Sequence, residues 1–106
     1  MNGPSIEPFH VVYSDRVRQR LRELAQIARD RGDGFAFLAA LTEFHRRLTL
    51  YPQFGEPLTD LLHEPGQIWI GIVPPLSMRY AVYDERRLVG VARLPVLLPR
   101  SKAESV

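Results

Sequence analysis

Of the 14 basic residues in this chain only Lys102 is a lysine, and a guanidinium suits bidentate contact with phosphate or carboxylate. Arginine-rich usage equally follows from genome composition, so position has to separate a working arginine from a solubilising one. Arg79 and Arg93 stand out because both fall in runs of strand length. Side chains alternate along a strand, so Tyr80 and Val82 share one face while Arg79, Ala81 and Tyr83 share the other. In the next run Val89, Val91 and Arg93 oppose Leu88, Gly90, Ala92 and Leu94. If the two strands turn these sides the same way, Arg79 and Arg93 meet on one sheet face with Tyr83 nearby. A bulge at Gly90 would break that register.

Other chemistries find little material. There are no cysteines, which removes disulfides and thiolate metal sites. His10, His45 and His63 lie far apart without ligand spacing, so neither a metal nor a cofactor is expected. The formal charge of +2 is too small to imply nucleic-acid binding by itself. No run approaches the roughly 20 apolar residues of a membrane span, and residues 1–7 have neither the basic start nor the apolar core of a signal peptide. A soluble, cytoplasmic protein is expected.

The elements that must position the arginines are readable from periodicity. FHVVY, Phe9 to Tyr13, is short, apolar and β-branched, which predicts a strand. Ser14 is a natural N-cap with Asp15 beside the positive helix end, and a helix follows to about Arg31, with Val17, Leu21, Leu24 and Ala28 on one face. Its six arginines, from Arg16 to Arg31, form either a nucleic-acid stripe or, as such patterns more commonly do, a solvated face. Gly32 supplies the stop, and Asp33 can cap a second helix from Gly34 to about Leu50. That helix carries a stripe of Phe37, Leu41, Phe44 and Leu48, widened by Leu38 and Ala40, and Glu43 can pair with Arg46 and Arg47.

Residues 51–66 are punctuated by Pro52, Gly55, Pro57, Pro65 and Gly66 and read as mostly loop, with Leu58, Leu61 and Leu62 in one short pinned turn or strand. From Gln67 to Leu94 three strand-like runs are cut by Pro74–Pro75 and by Asp84, Glu85, Arg86 and Arg87, predicting an antiparallel meander. Trp69 points opposite Ile68 and Ile70 and is either an exposed interface anchor or partly buried under the loop. Val96 to Leu98, bracketed by prolines, is either a docked extension or an exposed apolar tab. At 106 residues a single α+β domain is expected: a strand, an antiparallel helix hairpin and the meander, making a four-stranded sheet covered on one face, with residues 1–8 and 99–106 flexible.

This order of elements, together with VVYSDRVRQRLREL, LTLYPQFGEPL and MRYAVYDERRLVGVARL, resembles the RelE/ParE superfamily of toxins from type II toxin–antitoxin operons, also labelled plasmid-stabilisation proteins. The shared pattern is a helix, then Leu-x-x-x-Pro-x-x-Gly, then Arg-Tyr-x-Val, a charged turn and Val-x-Val, covering nearly the whole chain. The resemblance implies a growth-inhibiting toxin neutralised by a cognate antitoxin. RelE-like members cut messenger RNA on the ribosome, as mRNA interferases, and ParE-like members act on DNA gyrase.

Carried onto this sequence, the resemblance makes Arg79 and Arg93 the cations for a charged phosphoryl transition state and Tyr83 a proton-transfer or base-stacking group, the candidate catalytic set. Arg86, Arg87, Arg100, Lys102 and Trp69 are the candidate RNA- or partner-binding residues. The chain departs from RNase members just after its last strand, where Val96, Leu97, Leu98 and Pro99 precede Arg100 in place of a catalytic side chain. It also lacks lysines from Gln53 to Gln67, leaving His63 as the nearby titratable group. Three readings therefore stay open: a toxin acting on translation or gyrase, a ribosome-dependent endoribonuclease attacking through the 2′-hydroxyl, and a non-toxic binding module. Structural roles compete for the same residues, Arg79 pairing with Asp84 or Glu85 and Arg93 with Glu104.

Overall fold

The computed structural model describes residues 7–58 and 67–99. His63, Leu61, Leu62, Arg100, Lys102 and Glu104 lie outside the described residues, as do residues 1–6 and most of the 99–106 tail. Chain order is strand β1 (His10–Tyr13), helix α1 (Asp15–Asp30), helix α2 (Gly34–Leu50), a one-turn 3₁₀ helix at Pro52–Phe54, and strands β2 (Glu56–Pro57), β3 (Gln67–Val73), β4 (Leu76–Tyr83), β5 (Leu88–Val91) and β6 (Val96–Leu97). This is an α+β architecture of two helices and one mixed sheet.

The helices start and stop where local chemistry dictates. Ser14 Oγ accepts from Val17 N at 3.2 Å, satisfying one of the free amides of the first turn. Gly32, with φ of 86°, takes the left-handed conformation that side chains resist. Asp33 precedes α2 but makes no side-chain cap. Its carboxylate instead accepts from Arg31 Nε at 2.6 Å, because a charged partner within the turn outcompetes a neutral amide.

The inner helix faces merge with one side of the sheet into a single core. Val17, Leu24 and Ala28 of α1 and Phe37, Ala40, Phe44 and Leu48 of α2 pack with Leu76, Met78, Tyr80 and Val82 of β4 and Val89 and Val91 of β5. Leu38, expected to widen the α2 stripe, is instead 53% exposed; Ala40 alone widens it. Every second residue of β4 from Leu76 to Val82 is buried in this core, so alternation holds along that strand and both helices cover the same face.

The sheet is larger than four strands. Its order is β1-β5-β4-β3-β2, with β6 paired to β4. The β3-β4-β5 meander is antiparallel as expected, and β1 joins its far side parallel to β5. The pairing of β4 with β5 is regular through Gly90, which opposes Ala81, so no bulge sits there. The irregularity comes later. Unbroken pairing would place Leu94 opposite Ser77, where Val96 stands. Residues 92–95 therefore insert two extra residues beside β4, and the strand expected to reach Leu94 stops at Val91. Pro95 cannot donate to the ladder and is buried at this break. Val96–Leu98 is a docked extension, with Leu98 N donating to Pro75 O at 2.7 Å.

Candidate functional site: the open sheet face

The side of the sheet away from the helices carries Ser77, Arg79, Ala81 and Tyr83 from β4. In directly opposed antiparallel pairs the two side chains share a face. Ile68, Ile70 and Ile72 of β3 oppose Ala81, Arg79 and Ser77, so the three isoleucines stand on this open side. Trp69, opposite Tyr80, turns the other way and packs partly buried against the core, its Nε1 donating to Gln67 Oε1 at 3.1 Å. The exposed-anchor reading of Trp69 is thereby corrected. The aromatic side of β3 faces inward because Gly71 leaves room for the Phe54 and Phe44 rings, which an added Cβ would meet at 2.6 and 3.0 Å.

Arg79 and Arg93 come together here, although not by strict alternation. Continuing β5 in register would send Arg93 to the side of Val89 and Val91, the core side. The two-residue insertion releases it, and Arg93 is exposed. A groove of about 230 Å³ is lined by Arg79, Tyr83 and Arg93 with Leu58, Ile68 and Gly90. A second trough of about 340 Å³ lies on the other side of the same two arginines, against Ile70, Ser77 and Val96. Among the described residues, neither is lined by an acidic side chain. Among the described residues the side chains of Arg79 and Arg93 make no ion pair or hydrogen bond, and the pairing of Arg79 with Asp84 or Glu85 does not occur. Asp84 instead accepts from Gln53 Nε2 at 3.1 Å.

The charged turn divides its two arginines. Arg86 is exposed. Arg87, in the left-handed region with φ of 49°, turns back onto the protein. Its guanidinium carbon sits 4.1 Å from the Phe9 ring centroid, Nη2 donates to Glu7 O, and Nε is buried without a hydrogen-bond partner. This side chain staples the segment before β1 to the sheet and is spent on that contact, which corrects its assignment as a surface ligand.

The residues behind the groove are structural. Tyr80 Oη donates to Pro52 O at 2.6 Å, and burial pushes its pKa up to about 12. Its ring lies within the Phe44–Phe54 cluster. A Cβ on Gly55 would stand 2.2 Å from Ile70 O, so only glycine lets this loop lie on β3. The spacing Leu48, Pro52, Gly55, Tyr80 is thus the latch holding the end of α2 to the sheet. On β1, Tyr13 and His45 of α2 share a hydrogen bond of 2.8 Å, and burial likewise raises Tyr13 to about 12. His45 was not singled out by sequence, since an isolated helical histidine carries no spacing signal.

The open face can therefore hold an anion between two guanidinium groups that have no partner among the described residues, flanked by apolar surface. It offers no ligands for a metal: among the described residues no three histidine or acidic side chains gather. No described helix is long and apolar enough to cross a membrane. Comparison of the chain with protein-family models and with curated proteins returns no match in either case.

Proposed function

We propose that this chain is the toxin subunit of a type II toxin–antitoxin pair with a RelE/ParE-like fold, inhibiting growth through translation or DNA gyrase, and that its open sheet face is where the cognate antitoxin binds. One observation carries the reading: two exposed guanidinium groups, Arg79 and Arg93, stand without a partner among the described residues, in grooves whose described walls are largely apolar and hold no carboxylate. Such a surface is incomplete in charge and suits an acidic segment with apolar side chains. Induced expression of the chain alone should arrest growth, and co-expression with the neighbouring small gene should restore it. Uninterrupted growth on induction would reject an active toxin.

The non-toxic binding module is the second reading. Among the described residues, the titratable groups lining the two grooves are guanidiniums and phenols, none of which serves readily as a general base near neutral pH. A stable antitoxin complex from a chain whose expression is harmless would favour it. The endoribonuclease reading assigns Arg79 and Arg93 to transition-state charge and Tyr83 to proton transfer. Incubating programmed ribosomes with wild type and Arg79→Ala tests it, absence of cleavage by both rejecting the chemistry.

A further inference from the structure

The register of the sheet draws one line across its open face. Ile68 opposes Ala81, Ala81 opposes Gly90 and Gly90 stands beside Val12 of β1, so these positions form a row at right angles to the strands. Val11 and Tyr13 pack against the core, which turns Val12 to the open side, where it is 43% exposed. The row carries no charge and little bulk at its centre. Charge lies to either side of it, guanidiniums on one and carboxylates on the other. Along β4 in one direction stands Arg79, with Arg93 on the neighbouring segment, since Gly90 opposes Ala81 and Val96 opposes Ser77. In the other direction stands Tyr83, followed by the turn Asp84–Arg86. Tyr83 lines both the groove of Arg79 and Arg93 and a hollow of about 650 Å³ with Asp84, Glu85, Arg86 and Leu88.

We infer that the open faces of two copies of this chain pack against each other as an isologous dimer, its two-fold axis running along the row of Ile68, Ala81, Gly90 and Val12. An axis in that line turns one copy over onto the other with the two β4 strands antiparallel, the aligned arrangement of sheets packed face to face. Every residue on the row then meets its own copy, and apolar side chains gain from that meeting. Arg79 comes over Tyr83 of the second copy, where a guanidinium can lie on the phenol ring. Arg93 comes level with the second copy's Asp84–Arg86 turn. Among the described residues the side chain of Glu85 makes no ion pair or hydrogen bond, and Asp84 is bonded by the neutral Gln53. The carboxylates missing around Arg79 and Arg93 are thus supplied by the same face of another molecule, and symmetry makes each pairing twice.

Charge selects this arrangement over its rivals. An axis parallel to β4 would set Arg79 over its own copy, and like charges in contact repel. Phe35 and Leu38 on α2, 93% and 53% exposed, form a competing apolar surface, but no charged residue lies from Gly34 to Thr42 to fix one register there. The dimer goes beyond the antitoxin-docking reading and does not depend on it. It uses the same face and hides both guanidiniums, so any other partner for that face must first displace the second copy.

The test is sedimentation velocity of the full chain over a concentration series. Wild type should pass from monomer to dimer as concentration rises. Val12→Glu sets two carboxylates together on the axis and should weaken dimerisation about tenfold or more, as should Arg93→Glu and Glu85→Arg singly. Arg93→Glu combined with Glu85→Arg should return the dissociation constant to within about threefold of wild type, because both symmetric contacts are rebuilt with their charges exchanged. Phe35→Glu, on the helix side, should leave dimerisation unchanged. These substitutions sit at exposed positions, and recovery in the double variant rules out misfolding as the cause of the single losses. The inference is overturned if wild type stays monomeric up to its solubility limit, if Val12→Glu associates like wild type, if the double variant fails to recover, or if Phe35→Glu dissociates the dimer. A chain that arrests growth and captures its antitoxin yet stays monomeric loses the dimer and keeps the proposed function; one that dimerises through Val12 without arresting growth does the reverse.

Discussion

Arg79 and Tyr80 are neighbours on β4 with opposite surroundings, and substitution should separate them cleanly. Tyr80→Phe removes the hydroxyl that donates to Pro52 O while leaving the aromatic cluster filled. It should cost about 1–2 kcal/mol in urea denaturation, because the Pro52 carbonyl loses its buried donor. Gly55→Ala acts on the same latch through backbone, since Ile70 O cannot retreat from a Cβ 2.2 Å away; a loss of about 2–3 kcal/mol is expected. Arg79→Ala should shift stability by less than about 0.5 kcal/mol, the guanidinium being exposed and without a partner among the described residues, and yet abolish whatever the open face binds. A large stability loss for Arg79→Ala would mean that the residue serves the fold. The Arg-Tyr pair that carries the family resemblance is thus half surface chemistry and half framework.

At the scale of elements, the two helices were legible because periodicity and stops agreed, with Ser14, Gly32 and the α1 stripe all acting as their residue types suggest, although Asp33 does not cap α2. The meander was legible from Pro74–Pro75 and the charged turn. Pairing direction and the added strands were not, since alternation says nothing about which partner a strand takes, and prolines at 95 and 99 argue against the very strand that forms between them. Arg93 reached the open face through an insertion that no local pattern marks. Trp69 stayed open between exposure and partial burial because three isoleucines look as much like core as one tryptophan, and Gly71, the residue that decides the matter, does so by what it lacks. Glu43 on α2 shows local pairing acting as expected: Arg46 and Arg47 bond its carboxylate at 2.7 and 2.6 Å and hold its pKa down at about 2. A depressed folded pKa gives stabilisation that is fully present above the ordinary value of 4.5 and lost as pH falls towards 2. Glu43→Gln should therefore lower Tm at neutral pH, less so in high salt, with the difference from wild type shrinking through that acid window. A gap that persists at the bottom of the window would show that packing, not charge, explains it.

The whole molecule is held at its alkaline limit by two phenols that each tie the sheet to α2 or to the loop that leaves it. Tyr13 joins β1 to His45, Tyr80 joins β4 to Pro52, and burial raises both from 10 to about 12. The sign follows from the buried form being the neutral one. In the unfolded chain both phenols ionise near 10, so the folded state binds more protons between 10 and 12, and stability is intact below 10 and falls as pH rises through that interval. Ultraviolet titration of phenolate should show these two tyrosines ionising late, together with loss of the folded far-ultraviolet spectrum. Tyr80→Phe, although less stable at neutral pH, should lose less further stability on going from pH 10 to 12 than wild type does. Equal losses in the two proteins would show that Tyr80 does not couple its proton to the fold, and would leave the latch resting on ring packing and the Gly55 contact alone.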